Sequence, residues 1–137
     1  MALIALLLLP LLGGLAAYIV AGKSRGDAER WVTIATLAAT LVVLIGTVAG
    51  SGDGRWMAQV MVPWVPSLGI SINFALDGLS AALIAIAAGL GIICVMTSWR
   101  DIRVDSGLFH ACVCWTIAAT IGVFMSFDLL VFVFFWE

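Results

Sequence analysis

Long apolar runs alternate along the chain with short polar breaks. The runs cover 2–22, 31–50, 77–99, 108–125 and 128–137. A helix rises about 1.5 Å per residue, so about 20 apolar residues span the ~30 Å hydrocarbon core of a bilayer. The pattern predicts an all-α, polytopic transmembrane helix bundle: four full helices and the first half of a fifth. The polar breaks at 23–30 and 100–107 read as short loops, 51–76 as a longer segment, and Ser126-Phe127-Asp128 as a tight turn.

Local chemistry refines each piece. Pro10 interrupts the first run and cannot donate to the Leu6 carbonyl, which predicts a kink. Gly13 and Gly14 follow it and let a neighbouring helix approach closely. A cleaved signal peptide is the rival reading of this run. It calls for a positive charge before the apolar stretch, and no basic residue precedes Lys23. Ser51-Gly52-Asp53-Gly54 closes the second run with turn formers. In the longer segment, Trp56 and Trp64 suit a membrane interface, and Pro63 and Pro66 disfavour a helix. Ile70-Ser71-Ile72-Asn73-Phe74 alternates apolar and polar, as a short strand or extended segment does, with plain loop as the alternative. Asp77 and Asp128 stand at the starts of the third and fifth helices. There they are candidate caps matched to the helix dipole, or candidate outer-side acids. His110, in the first turn of the fourth run, reads as an interface residue rather than a proton carrier.

Composition places the chain in its class. It is 64% hydrophobic and 10% charged, against roughly 25% charged in soluble domains. A chain of 137 residues cannot hide that much apolar surface in its own core. The net charge of −2 excludes a basic nucleic-acid footprint. Cys94, Cys112 and Cys114 all lie inside apolar runs and read as small packing residues. Cys112 and Cys114 are spaced to face nearly opposite sides of a helix, so they neither chelate a metal nor close a disulfide.

Charge asymmetry sets the orientation. Lys23, Arg25 and Arg30 flank the first loop, Arg100 and Arg103 the third, and only Arg55 lies between. The positive-inside rule puts the first and third loops in the cytoplasm, with Trp31 and Trp99 at that boundary. The N-terminus, the 51–76 segment and the 126–128 turn then face the other side.

That frame locates Glu137. Nine residues beyond Asp128 correspond to about 13–14 Å of helix, close to the bilayer midplane. A charge there costs about 2.5–3.5 kcal/mol on insertion scales, and such a residue is a functional candidate by default. Leu130, Val133 and Phe134 share its face and offer no hydrogen bond. No Lys or Arg falls inside an apolar run. A partner therefore has to come from another helix, from water, or from residues outside this sequence. The plain alternative is a solvated acid at a chain end.

Three stretches carry a family resemblance: VPWVPSLGISINFALDGLS (Val62 to Ser80), TSWRDIRVDSGLFH (Thr97 to His110) and IGVFMSFDLLVFVFFWE (Ile121 to Glu137). Together they resemble the N-terminal portion of the subunit M family of bacterial NADH–quinone oxidoreductase. That family is the counterpart of chain 4 of mitochondrial complex I and belongs to the antiporter-like subunit superfamily. The DGLS form at Asp77–Ser80 favours subunit M over the larger subunit L. Multi-subunit cation/proton antiporters and membrane-bound hydrogenases share the superfamily.

The resemblance implies that Glu137 is the key glutamate of the fifth helix. In the family this acid pairs with a lysine on a later helix and takes part in proton translocation coupled to quinone reduction. Family members are longer and built on inverted repeats, so this sequence reads as a fragment of a longer chain. The resemblance further implies a multi-pass subunit of the bacterial inner (cytoplasmic) membrane, its N-terminus periplasmic, in contact with lipid and with other membrane subunits of complex I. NADH, FMN, iron–sulfur clusters and quinone belong to partner subunits. This chain has no cysteine framework, glycine fingerprint or paired axial ligand to hold a cofactor, and no metal site. The rival classes are a subunit of a cation/proton antiporter or membrane-bound hydrogenase, and a structural or assembly piece.

Overall fold

The computed structural model describes residues 2–23, 27–52, 56–65, 70–102 and 104–137. Arg25, Asp53, Gly54, Arg55, Pro66 and Arg103, which entered the reading of turns and orientation, lie outside the described residues.

Four long helices carry the fold: α1 (Ala2–Lys23), α2 (Ala28–Ala49), α3 (Gly78–Thr97) and α4 (Ser106–Met125). Each is long and apolar enough to cross a membrane. A short α5 (Leu129–Trp136) follows, and two strands, β1 (Ala58–Val65) and β2 (Ile70–Leu76), lie between α2 and α3. α1 packs on both α2 and α4, α3 completes the group against the same two helices, and α5 lies along α4.

The helices are apolar on both sides of the contact. α1 buries Leu3, Leu6, Pro10, Gly13 and Ala17 at helical spacing, while Leu8, Leu12, Leu15 and Ile19 stay exposed. On α3, Ile84, Ala88 and Val95 are buried, and Ile86, Leu90, Ile93 and Met96 face outward. A helix that is apolar all round belongs in lipid. Sequence and structure agree on a polytopic membrane bundle.

Small residues set how closely the helices approach. A Cβ added at Gly13 would lie 2.2–2.7 Å from side-chain atoms of Thr36 on α2. One at Gly14 would lie 2.7 Å from the indole nitrogen of Trp115 on α4. That nitrogen donates to the Leu11 carbonyl at 3.2 Å, one residue past Pro10 in a helix that continues through the proline.

The segment between α2 and α3 is a β-hairpin, not a loop with at most one strand. β1 and β2 pair antiparallel, with Val60 opposite Phe74 and Val62 opposite Ile72. The register shifts between Pro63 and Val65, where a residue without an N–H can sit at the edge of a ladder. Gln59 Nε2 donates to Asn73 Oδ1 at 3.2 Å across the pair. The hairpin is fastened to the turn between α4 and α5. Phe74 bridges Ser126, Phe127 N–H donates to the Asn73 carbonyl at 2.9 Å, and Trp56 meets Phe127 edge to face at 4.6 Å.

At the opposite end, the first and third breaks meet. The Trp31 and Trp99 rings touch edge to face at 5.6 Å. Arg30 lies over the Trp99 ring at 5.4 Å and donates to the Ile102 carbonyl at 3.2 Å. It also pairs with Asp27. One end of the bundle thus carries residues 27–31 and 98–102, and the other the hairpin and the 126–128 turn. The first break is shorter than the polarity pattern implies: α2 begins at Ala28, so Glu29 and Arg30 are helical and buried.

Replacing Gly13 by Val should destabilise the bundle by about 1–3 kcal/mol, because the crowding atoms include the Cβ of Thr36 and not only a flexible tip. Thermal unfolding of the full-length protein in detergent measures this. A variant as stable as wild type would mean α1 and α2 do not meet this closely.

Candidate functional site

Glu137 follows directly on α5. Its N–H donates to the Val133 carbonyl at 3.1 Å, and its side chain is exposed. Among the described residues no hydrogen bond or ion pair to its carboxylate is present. α5 is positioned by three contacts. Asp128 Oδ1 accepts from Leu130 N–H at 2.9 Å and starts the helix. Val131 is buried against the bundle. The Phe135 ring covers Gly122 of α4, where an added Cβ would fall 2.3 Å from the ring, and its centroid lies 6.0 Å from that of Phe74. Beside the end of α5 is a cleft of about 300 Å³ lined by Thr116, Thr120, Phe135 and Trp136. The hydroxyl of Thr120 donates to the Thr116 carbonyl, so its oxygen keeps acceptor capacity next to the cleft.

Asp77 and Asp128 act as caps. Asp77 Oδ1 accepts from Ser80 N–H at 2.8 Å at the start of α3. The two acids and Glu137 do not converge: Asp77 and Asp128 begin helices near the hairpin end, and Glu137 lies about 13–14 Å along α5 from Asp128.

The cysteines divide as their spacing requires. Cys114 is buried, and Cys112 and Cys94 are exposed. The latter two line an apolar groove between α3 and α4, so only Cys114 packs inside. Among the described residues no group of three or more His, Cys, Asp or Glu side chains is placed to hold a metal.

A second polar cluster lies at the other end and was missed in the sequence. Glu29, Thr33 and His110 are buried. Ser106 Oγ donates to Glu29 Oε1 at 2.9 Å, Thr33 Oγ1 donates to the Glu29 carbonyl at 2.9 Å, and the Cys114 thiol contacts the Thr33 side chain. His110 is therefore a core residue, not an interface one. A signal was present: Ser106, His110 and Cys114 repeat at four-residue spacing, as do Glu29 and Thr33, giving each helix a polar stripe facing the other.

The fold defines a multi-pass membrane protein, with four helices able to span a bilayer. Its backbone matches part of the Mrp complex from Dietzia sp. DQ12-45-1b with a TM-score of 0.81 and 21% identity, over 100% of this chain and 15% of that one. It also matches part of an archaeal membrane-bound sulfane sulfur reductase, with a TM-score of 0.74 and 22% identity, over 100% of this chain and 21% of that one. In sequence it is 37% identical to NADH-quinone oxidoreductase subunit M of Pseudomonas aeruginosa, across 96% of this chain and 28% of that protein. For subunit M of Escherichia coli K12 the identity is 32%, across 96% and 27%. Chain 4 of the Microcystis aeruginosa NAD(P)H-quinone oxidoreductase is 29% identical, across 97% and 24%. No family model matches. Along almost its whole length the chain is homologous to NADH-quinone oxidoreductase subunit M, a subunit of an enzyme complex, and it spans about a quarter of the length of these relatives.

Replacing Asp77 by Ala in the full-length protein should cost about 1 kcal/mol of stability, and Asn should restore it, because Asn caps as well as Asp does. Unfolding midpoints of the two variants check this. An Asn variant as weak as the Ala variant would give the Asp77 charge a role that capping does not require.

Proposed function

We propose that this chain is part of a proton-translocating subunit of NADH–quinone oxidoreductase, in which Glu137 is the mid-membrane acid. The observation that carries the reading is the homology to subunit M over 96% of the chain. Supporting it, α5 starts from a turn capped by Asp128 at the hairpin end and runs along α4, with Glu137 directly after it.

In this reading Glu137 alternates between a protonated acid and an ion pair with a basic residue outside this sequence. A change in a neighbouring charge pair favours one state over the other, and the proton moves along a hydrated path through the membrane. The subunit itself carries no redox group. NADH, FMN, iron–sulfur clusters and quinone are handled by partner subunits, and this chain contacts other membrane subunits and lipid. The bundle end formed by 23–30 and 100–107 lies in the cytoplasm. The N-terminus, the hairpin and the 126–128 turn lie on the periplasmic side of the bacterial inner membrane.

A cation/proton antiporter subunit is the second reading, favoured by the fold likeness to the Mrp complex. Co-purification separates the two. NADH-oxidising iron–sulfur partners are expected, and recovery of membrane antiporter subunits alone would overturn the first reading.

Glu137→Gln in the full-length protein should abolish most coupled proton pumping while leaving the complex assembled. Pumping in vesicles and assembly on native gels measure the two separately. Wild-type pumping in an intact complex would return Glu137 to a structural role.

A further inference from the structure

Between α2 and α4, at the end where Arg30 meets Trp99 and Ile102, two ionisable side chains are enclosed by protein. Glu29 keeps 4% of its surface exposed and His110 1%. Each has one buried polar atom, Glu29 Oε2 and His110 Nδ1, with no hydrogen-bond partner among the described residues. Buried polar atoms are nearly always paired, with protein or with ordered water, so two orphans in one cluster point to a small polar ligand.

The surroundings say which ligand. Ser106, one turn before His110 on α4, holds Glu29 Oε1 and leaves Oε2 unengaged. The charged groups acting on His110 are Glu29 and Arg30. Arg30 is turned to Asp27, to the Ile102 carbonyl and to the Trp99 ring. Farther along, Cys114 and Thr33 meet each other, and Leu37 and Ile117 close the interior. On the outer side Ser106 also lines an open cavity of about 540 Å³, together with Tyr18, Lys23 and Asp105. The order from bulk phase to interior is therefore cavity, Ser106, Glu29, His110. One carboxylate and one imidazole are too few donors for a metal cage, but they suffice for a proton and the water that carries it.

We propose that Glu29 and His110 form a buried proton-uptake site, reached through the cavity beside Ser106. Hydronium gives its proton to Oε2 and leaves as water. The Glu29 acid then donates that proton to Nδ1 of the neutral imidazole. The carboxylate re-forms, and the imidazolium that results stands beside it as an ion pair. The site is separate from Glu137. Its assignment to the cytoplasmic face rests on the orientation proposed above.

The test uses the full-length protein in its membrane complex. Infrared difference spectra are taken between mildly acidic and mildly alkaline pH for wild type, Glu29→Gln, Glu29→Asp, Ser106→Ala and His110→Gln. The bands lost in His110→Gln identify the His110 imidazole. Their titration midpoint should move by about one pH unit or more in Glu29→Gln, the change expected on losing a charge partner, and stay near wild type in Glu29→Asp. If Glu29→Gln does not assemble, Ser106→Ala carries the test, and a displaced midpoint is expected there too. A His110 titration indifferent to these changes, or no titrating His110 band at all, overturns the proposal. Normal pumping by Glu137→Gln would remove the Glu137 reading and leave this midpoint shift untouched, so the two fail separately.

Discussion

Where α1 crosses α2 and α4 there is no room for a side chain. Lipid tails are as apolar as the helices they surround, so burial alone gives transmembrane helices little reason to associate. Close contact and a few hydrogen bonds have to hold them. Gly13 against Thr36 and Gly14 against Trp115 supply the first, and the indole donating to the Leu11 carbonyl supplies one of the second. Because α1 draws on both partners, it also brings α2 and α4 together. Their polar stripes then meet inside the protein and not in lipid, where an unpaired Glu29 would be costly.

The two ends of the bundle are fastened differently. At one end the ties are aromatic and ionic: Trp31 on Trp99, and Arg30 over the Trp99 ring and onto the Ile102 carbonyl. At the other, backbone hydrogen bonds from the hairpin to the turn before α5 are added to a ring contact, Trp56 on Phe127. Each end is therefore a unit of two chain segments distant in sequence. The membrane-spanning parts need only run between the two.

The helices were legible because composition and period act over many residues at once. Runs of about 20 apolar residues leave few alternatives in a polytopic chain. Asp77 and Asp128 were legible as caps because capping is local. β1 was not: AQVMVPWV lacks clean alternation and contains Pro63, and what makes it a strand is its partner β2. The sequence pattern assigns Glu29 and Arg30 to a loop because charge marks loops in a membrane sequence. In the fold, Arg30 reaches back to Asp27 and Glu29 is held by Ser106, 77 residues away. No local pattern encodes such a long-range bond. His110 shows in the sequence only through its four-residue spacing with Ser106 and Cys114, and that stripe gains its meaning once the facing helix is known.

The hairpin has a consequence for how the chain tolerates change in length. Asn73 and Phe74 grip the α4–α5 turn, and three residues later Asp77 begins α3. The stretch between them works as a ruler joining the start of one membrane helix to the start of another. Adding or deleting two residues there would keep the side-chain alternation but slide one helix against the other by about 6–7 Å at strand rise. A single residue would shift them less but turn the strand over. This lineage of sequences should therefore hold its length fixed from Asn73 to Asp77.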